Sequence, residues 1–235
     1  MPHIIKNGEK DIGMTGIQFF GRITASISHE LKNALAIINE NAGLLEDYVF
    51  MAEKGSPIAP EKLKSLSEKV LGQIQRSNGI LKNMNEFAHS ADAPTKQIDV
   101  GETLTLIVKL CTRFAQMRNI SLDLKLPDHP VLFTTNPFYA ENLIFLCLMA
   151  GLENFDPDGK ENNRSAPDRR LEIAAHMTDH FLAIGFAPLK APEKMGDAFF
   201  KDEQVNMLRD VLKAAGKIDP AAESFILSFP EDINS

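Results

Sequence analysis

The chain has 235 residues, 44% of them hydrophobic and 24% charged, with a formal net charge of −7. That length and composition suit a globular protein of one large domain or two modest ones, each able to bury a real core. The acidic balance excludes nucleic acid as the main partner, because phosphate binding needs a basic patch.

The two cysteines, Cys111 and Cys147, lie in apolar stretches with no second thiol or histidine at metal-ligand spacing. They read as buried free thiols, which points to a reducing compartment. The segment Met1 to Gly8 has no apolar signal core. The longest apolar run, Leu143 to Leu152, is about half the ~20 residues that a membrane span needs. A cytoplasmic protein without a membrane segment is expected. Residues 1–15 are polar and contain Gly8 and Gly13; they read as a loose arm, too short for an attached sensor domain.

From Gly16 or Ile17 to Met51 a helical pattern runs. At about 100° per residue, Phe20, Ile23, Ile27, Leu31, Ala34, Ile38 and Leu45 fall within about 40° of one line, while His29 lies about 160° from it. The Gly55, Pro57 and Pro60 region breaks the helix, and Pro60 suits a new start. A second helix follows to about His89, with its stripe at Leu63, Leu66, Val70, Ile74, Leu81, Met84 and Ala88. Two long helices joined by a short break form an antiparallel hairpin. One hairpin covers only one side of each stripe, so two hairpins pairing into a four-helix bundle, and hence a homodimer, are expected.

Ser90 to Lys96 is a polar, Pro-containing linker and the best domain boundary. Three segments are thus expected: an arm over 1–15, a helical hairpin over 16–92 and a second domain over 97–235. In the second domain, strands are expected over 97–100, 121–126, 131–133, 170–177, 180–186 and 223–229. Helices are expected over 101–118, 136–154 and 198–215, the last ended by Gly216. Polar loops are expected over 156–169 and 187–196, with a turn at Thr178-Asp179. The whole reads as α+β: a long helical hairpin followed by a two-layer α/β sandwich.

The chemistry concentrates on one histidine. A phosphoryl-accepting imidazole must be reachable by solvent, keep one ring nitrogen unprotonated, and sit on a rigid scaffold. His29 meets the first condition by its place on the wheel and the third by the bundle. Glu30 is adjacent and could orient the ring or take its proton. A lone surface histidine on a helix is usually only solvated, and His3, His89, His129, His176 and His180 have no comparable setting. His29-Glu30 opens like a zinc-binding HExxH helix, but Asn33 and Ala34 stand where the second histidine would be. No GxxxxGK[ST], GxGxxG or GxSxG occurs. Glu102, Glu141 and Glu153 read as a solvated face and helix ends.

The stretch Phe20-Gly21-Arg22-Ile23 through Ser28-His29-Glu30-Leu31-Lys32-Asn33-Ala34-Leu35, together with the second helix, resembles the H-box hairpin of sensor histidine kinases. The family often has proline where Ala34 stands. The second domain is similar to the kinase ATP-binding domain in its order of elements. Its opening, Asp99-Val100-Gly101-Glu102-Thr103-Leu104, and its closing portion around Phe199-Phe200, Met207-Leu208 and Phe225 to Pro230 carry that likeness. The resemblance implies His29 as phospho-acceptor and Glu30 as the group that orients or deprotonates it. It places receiver docking at Ser28 and Lys32 and makes Asn33 a candidate for positioning water in receiver dephosphorylation.

The family's nucleotide motifs are missing. The helix face that carries Mg²⁺- and phosphate-facing asparagines in the family is Leu146 to Gly151 here, without Asn or Asp. The Asp-x-Gly-x-Gly turn is replaced by Ala187-Pro188-Leu189-Lys190, and the second glycine motif by Glu203-Gln204-Val205-Asn206. The expectation is a histidine phosphotransferase that relays a phosphoryl group between receiver-domain aspartates without ATP or another cofactor of its own, Mg²⁺ coming from the receiver. Its partners would be receiver domains of response regulators or of a hybrid histidine kinase, with neither nucleic acid nor membrane. The alternatives are a response-regulator phosphatase using Glu30 and Asn33, a non-catalytic dimeric adaptor, and a divergent active kinase.

Overall fold

The structure, a computed structural model, is described over residues 3–155, 169–178 and 181–234. It divides into two compact units. One is Gly21–Glu86; the other joins Met1–Phe20 to Phe87–Ser235.

Helix α1 runs from His3 to Glu53 and α2 from Pro60 to His89. The first helix therefore begins well before Gly16: the stretch 1–15, expected as a loose arm, is helical from residue 3. Gly8 and Gly13 weaken a helix by roughly 1 kcal/mol each without forbidding it. The turn after α1 depends on Gly55, whose φ of 90° lets the Ser56 N–H reach back to the Met51 carbonyl at 3.0 Å. That closes the helix with a left-handed residue, where a side chain would be strained. Pro60 then occupies the first position of α2, where its missing N–H costs nothing. The two helices run antiparallel: Tyr48 meets Lys62, Glu30 meets Arg76 and Phe20 meets Phe87, partners receding in step from the turn.

In the other unit, β1 (Lys96–Asp99) pairs antiparallel with β3 (Leu132–Thr135). A five-stranded sheet has the order β2-β4-β5-β7-β6, formed by Ser121–Lys125, Arg170–Met177, Phe181–Ala187, Ser224–Pro230 and Ala215–Asp219 respectively. The β2–β4 pair is parallel and the other three pairs are antiparallel. One face carries Leu171, Ile173, Leu182, Ile184, Phe186, Phe225, Leu227 and Phe229, all at most 1% exposed. Helices α3 (Val100–Gln116), α4 (Pro137–Asn154), α5 (Pro192–Lys201) and α6 (Glu203–Leu212) form the second layer. Caps set their starts. Asp99 accepts from the Glu102 N–H and Asn136 from the Tyr139 N–H.

The C-terminal third differs from expectation. Helix α5 starts at Pro192, inside the expected loop, and the expected 198–215 helix is two helices and the start of a strand. Asp202 makes the break: its side chain accepts from the Gln204 and Val205 N–H groups and caps α6. Lys213, at φ 50°, ends α6. Gly216 is a strand residue, not a helix stop. A Cβ there would lie 2.9 Å from the Phe225 ring and 3.1 Å from that of Phe200, so close packing of β6 demands a glycine. The expected loop at 156–169 lies outside the described residues except for Arg169, and the expected turn at 178–179 is described only at Thr178.

Among the described residues no helix is long and apolar enough to cross a membrane. Cys111 and Cys147 are both free and buried.

Candidate functional site

In the hairpin unit, Ile23, Ile27 and Ala34 are buried, and Asn41 joins their stripe with its amide bonded to the Ile37 carbonyl at 2.6 Å. Leu31 and Ile38 are half-buried. Opposite this stripe, His29 is exposed, as are Ser28, Lys32 and Asn33. Positions three and four apart on a helix share a face, so Lys32 and Asn33 stand one turn above His29, with Asn33 directly in line. The helix thus presents an imidazole, an ammonium and an amide together. Among the described residues the His29 ring has no hydrogen-bond partner.

Glu30, the residue expected to orient or deprotonate His29, also has a partner on α2. The turn of the helix aims it toward α2, where its carboxylate meets Arg76 at 3.6 Å. Arg76 is a site residue that the sequence did not disclose. Its partner lies 46 positions away, and nothing local marks the pairing. The pair is half-exposed and so contributes no more than about 1 kcal/mol; its effect is to hold Glu30 against the second helix.

The face of α4 compared above with a nucleotide site is lined by apolar side chains. Leu146 and Met149 are half-buried, and Phe186 is fully buried. At Gly151 an added Cβ would lie 3.1 Å from Leu171 and 3.9 Å from Leu189, itself 1% exposed. The Asn154 amide is engaged on both sides of Ala191, donating to its carbonyl at 2.8 Å and accepting from its N–H at 2.9 Å. Asn154 therefore clamps the β5–α5 connection and offers no oxygen to a metal. Among the described residues no three His, Cys, Asp or Glu side chains group as metal ligands. Among the described residues, the Leu146 to Gly151 face carries no carboxylate or side-chain amide, the oxygen ligands that the Mg²⁺ of a bound nucleotide needs.

Glu141 was expected on a solvated surface and is instead 4% exposed. Burial pushes its carboxyl up to about 8, against the opposing effect of a hydrogen bond with Ser90. The Ser90 hydroxyl already donates to the Phe87 carbonyl at 2.7 Å. Glu102 and Glu153 are exposed, as expected, Glu153 lying 3.7 Å from Arg118.

Residues 21–92 match the family model described as the His Kinase A (phospho-acceptor) domain. No curated protein matches the chain. Similar solved structures include the nucleotide-free catalytic domain of histidine kinase ThkA, at 9% identity and TM-score 0.46, over 60% of this chain and 99% of that one. The Acinetobacter baumannii histidine kinase AdeS aligns at 14% identity and TM-score 0.44, over 88% of this chain and 98% of that one. ThkA in complex with the response regulator protein TrrA aligns at 12% identity and TM-score 0.44, over all of this chain and 68% of that one. By that family match the helical hairpin resembles a phospho-acceptor domain, and an α/β unit follows it in the chain.

Proposed function

We propose that the protein is a histidine phosphotransferase of a two-component phosphorelay, with His29 as the relay point. The observation that carries this reading is the setting of His29: exposed, without a partner among the described residues, on a long helix within a matched phospho-acceptor segment. An unprotonated ring nitrogen of His29 attacks the phosphorus of a receiver's phosphoaspartate. A P–N bond forms, the acyl-phosphate P–O bond breaks, and the aspartate leaves as carboxylate. The second receiver reverses the exchange: its carboxylate attacks phosphorus and the imidazole leaves. No ATP is consumed, and the apolar α4 face supports a protein that does without it. The divalent ion belongs to the receiver, which brings it with the aspartate.

Ser28 and Lys32 flank the imidazole. Lys32 would offset phosphoryl charge during transfer, and Ser28 would meet the receiver surface. The docked partner is a receiver domain of a response regulator or of a hybrid kinase, met in the cytoplasm. The second copy needed to cover the apolar face of the hairpin makes the working unit a dimer. Asn33, one turn beyond His29 on the same face, favours one further reading: its amide positions a water that hydrolyses the receiver's phosphoaspartate.

The test is transfer from a receiver domain labelled on its aspartate. Acid-labile label should appear on the wild type and not on His29→Ala. Loss of receiver label with none on this protein, abolished by Asn33→Ala, would instead establish the phosphatase. Receiver binding with neither effect would leave an adaptor.

A further inference from the structure

Within the larger unit, the Gly13 to Phe20 stretch of α1, the Ala91–Pro94 connection and the start of α4 line an open pocket of about 500 Å³. That is the size of a small-molecule pocket. Its lining is mostly apolar, with Ile17, Phe20, Pro94 and Phe138 as large side chains. The walls are anchored from behind: Phe138 packs 5.4 Å from Phe19 and 5.9 Å from Phe87, centroid to centroid. At Gly16 a Cβ would stand 3.0 Å from Phe138, whereas at Gly13 nothing lies within 4 Å of that position. The helix thus touches α4 at one glycine and leaves space at the next, one turn away.

No described lining residue is charged. An ionic ligand would lose its hydration there without a counter-charge. The polar groups of the lining are the Tyr139 hydroxyl and the Asn136 side chain, whose Oδ1 already accepts from the Tyr139 N–H. We propose that this pocket is a binding site for a neutral, mainly aromatic or aliphatic small molecule with few polar atoms. The pocket has no lining residue in common with the His29 face.

The probe is the neutral fluorophore N-phenyl-1-naphthylamine, titrated into the full chain. Saturable enhancement is expected, at one probe per chain. Gly13→Leu fills the open space from α1 and should weaken binding by about tenfold or more. It replaces glycine inside a helix by a good helix former, so its melting temperature should not fall. Ala91→Leu, from the opposite wall, gives an independent reading with the same expected loss. Gly72→Leu on α2, where a Cβ also meets nothing within 4 Å, controls for probe on exposed bundle surface and should bind as the wild type does. Wild type that fails to bind, or both filling variants binding undiminished, overturns the site. Equal, Gly13-dependent binding of the anionic 8-anilinonaphthalene-1-sulfonate overturns its preference for neutral ligands.

Discussion

The Glu30–Arg76 contact separates two roles that adjacency alone would merge. If Glu30 acts on His29 only through the geometry that Arg76 holds, removing either partner has the same consequence. Glu30→Ala and Arg76→Ala should each slow label uptake by a similar factor, and the double variant should be no slower than either single one. Stability should fall by no more than about 1 kcal/mol in each, because the pair is half-exposed. A double variant whose defect is the product of the two would return Glu30 to direct action on the imidazole. Glu141 makes a second residue-scale prediction. Its carboxyl titrates at about 8 in the fold against an ordinary value of 4.5. Between those values the folded state holds a proton that the unfolded state has released. Its stabilising contribution is therefore complete below pH 4.5 and is lost as pH rises through 8. Glu141→Gln, neutral at every pH, should melt above the wild type at pH 9 and show no such advantage at pH 4. Parallel thermal melts decide it.

At the scale of elements, the hairpin leaves apolar side chains that it cannot itself cover. Leu45, Val49, Leu63, Leu71, Ile74 and Leu81 are between 39% and 54% exposed in the single chain. A second hairpin would bury them at roughly 1.5–3 kcal/mol for each fully covered side chain. Ile74→Glu should therefore convert a dimer to monomer in light-scattering chromatography while leaving the helical circular-dichroism signal in place; a variant that stays dimeric would place the interface elsewhere. The helices and most strands were legible because period and punctuation agree along α1, α2, α3 and α4. The start of α1 was not, since glycines at 8 and 13 imitate an arm while the helix continues through them. Neither was the region from Pro192 to Asp219. There Asp202 punctuates as a cap inside an apolar run, and Gly216 is required by the rings of Phe200 and Phe225, a tertiary demand with no local signature. The candidate site was legible at His29, Lys32 and Asn33 because helical period alone sets their face. Arg76 and the Asn154 clamp depend on pairing across the fold, which the sequence does not print.

At the scale of the molecule, the α/β unit keeps a layer of helices on a mixed sheet, while the described α4 face that would meet a nucleotide is apolar. Leu189 and Leu171 crowd Gly151, Asn154 is committed to Ala191, and Leu146 to Gly151 bring no oxygen ligand. Making such a face bind a nucleotide would require more than restoring one motif. An aspartate introduced at Leu189 would be set among apolar side chains, where an unpaired charge is costly. The protein should therefore take no label from ATP and Mg²⁺ alone, and its melting temperature should not move with either, since a ligand stabilises only a fold that binds it. Leu189→Asp should lower stability without creating nucleotide binding. Acid-labile label on His29 from ATP alone would show that the domain supplies its own phosphoryl group and would make the protein a divergent kinase. The same label appearing only after a phosphorylated receiver is added would make His29 a relay between other proteins, with the α/β unit retained for something other than nucleotide chemistry.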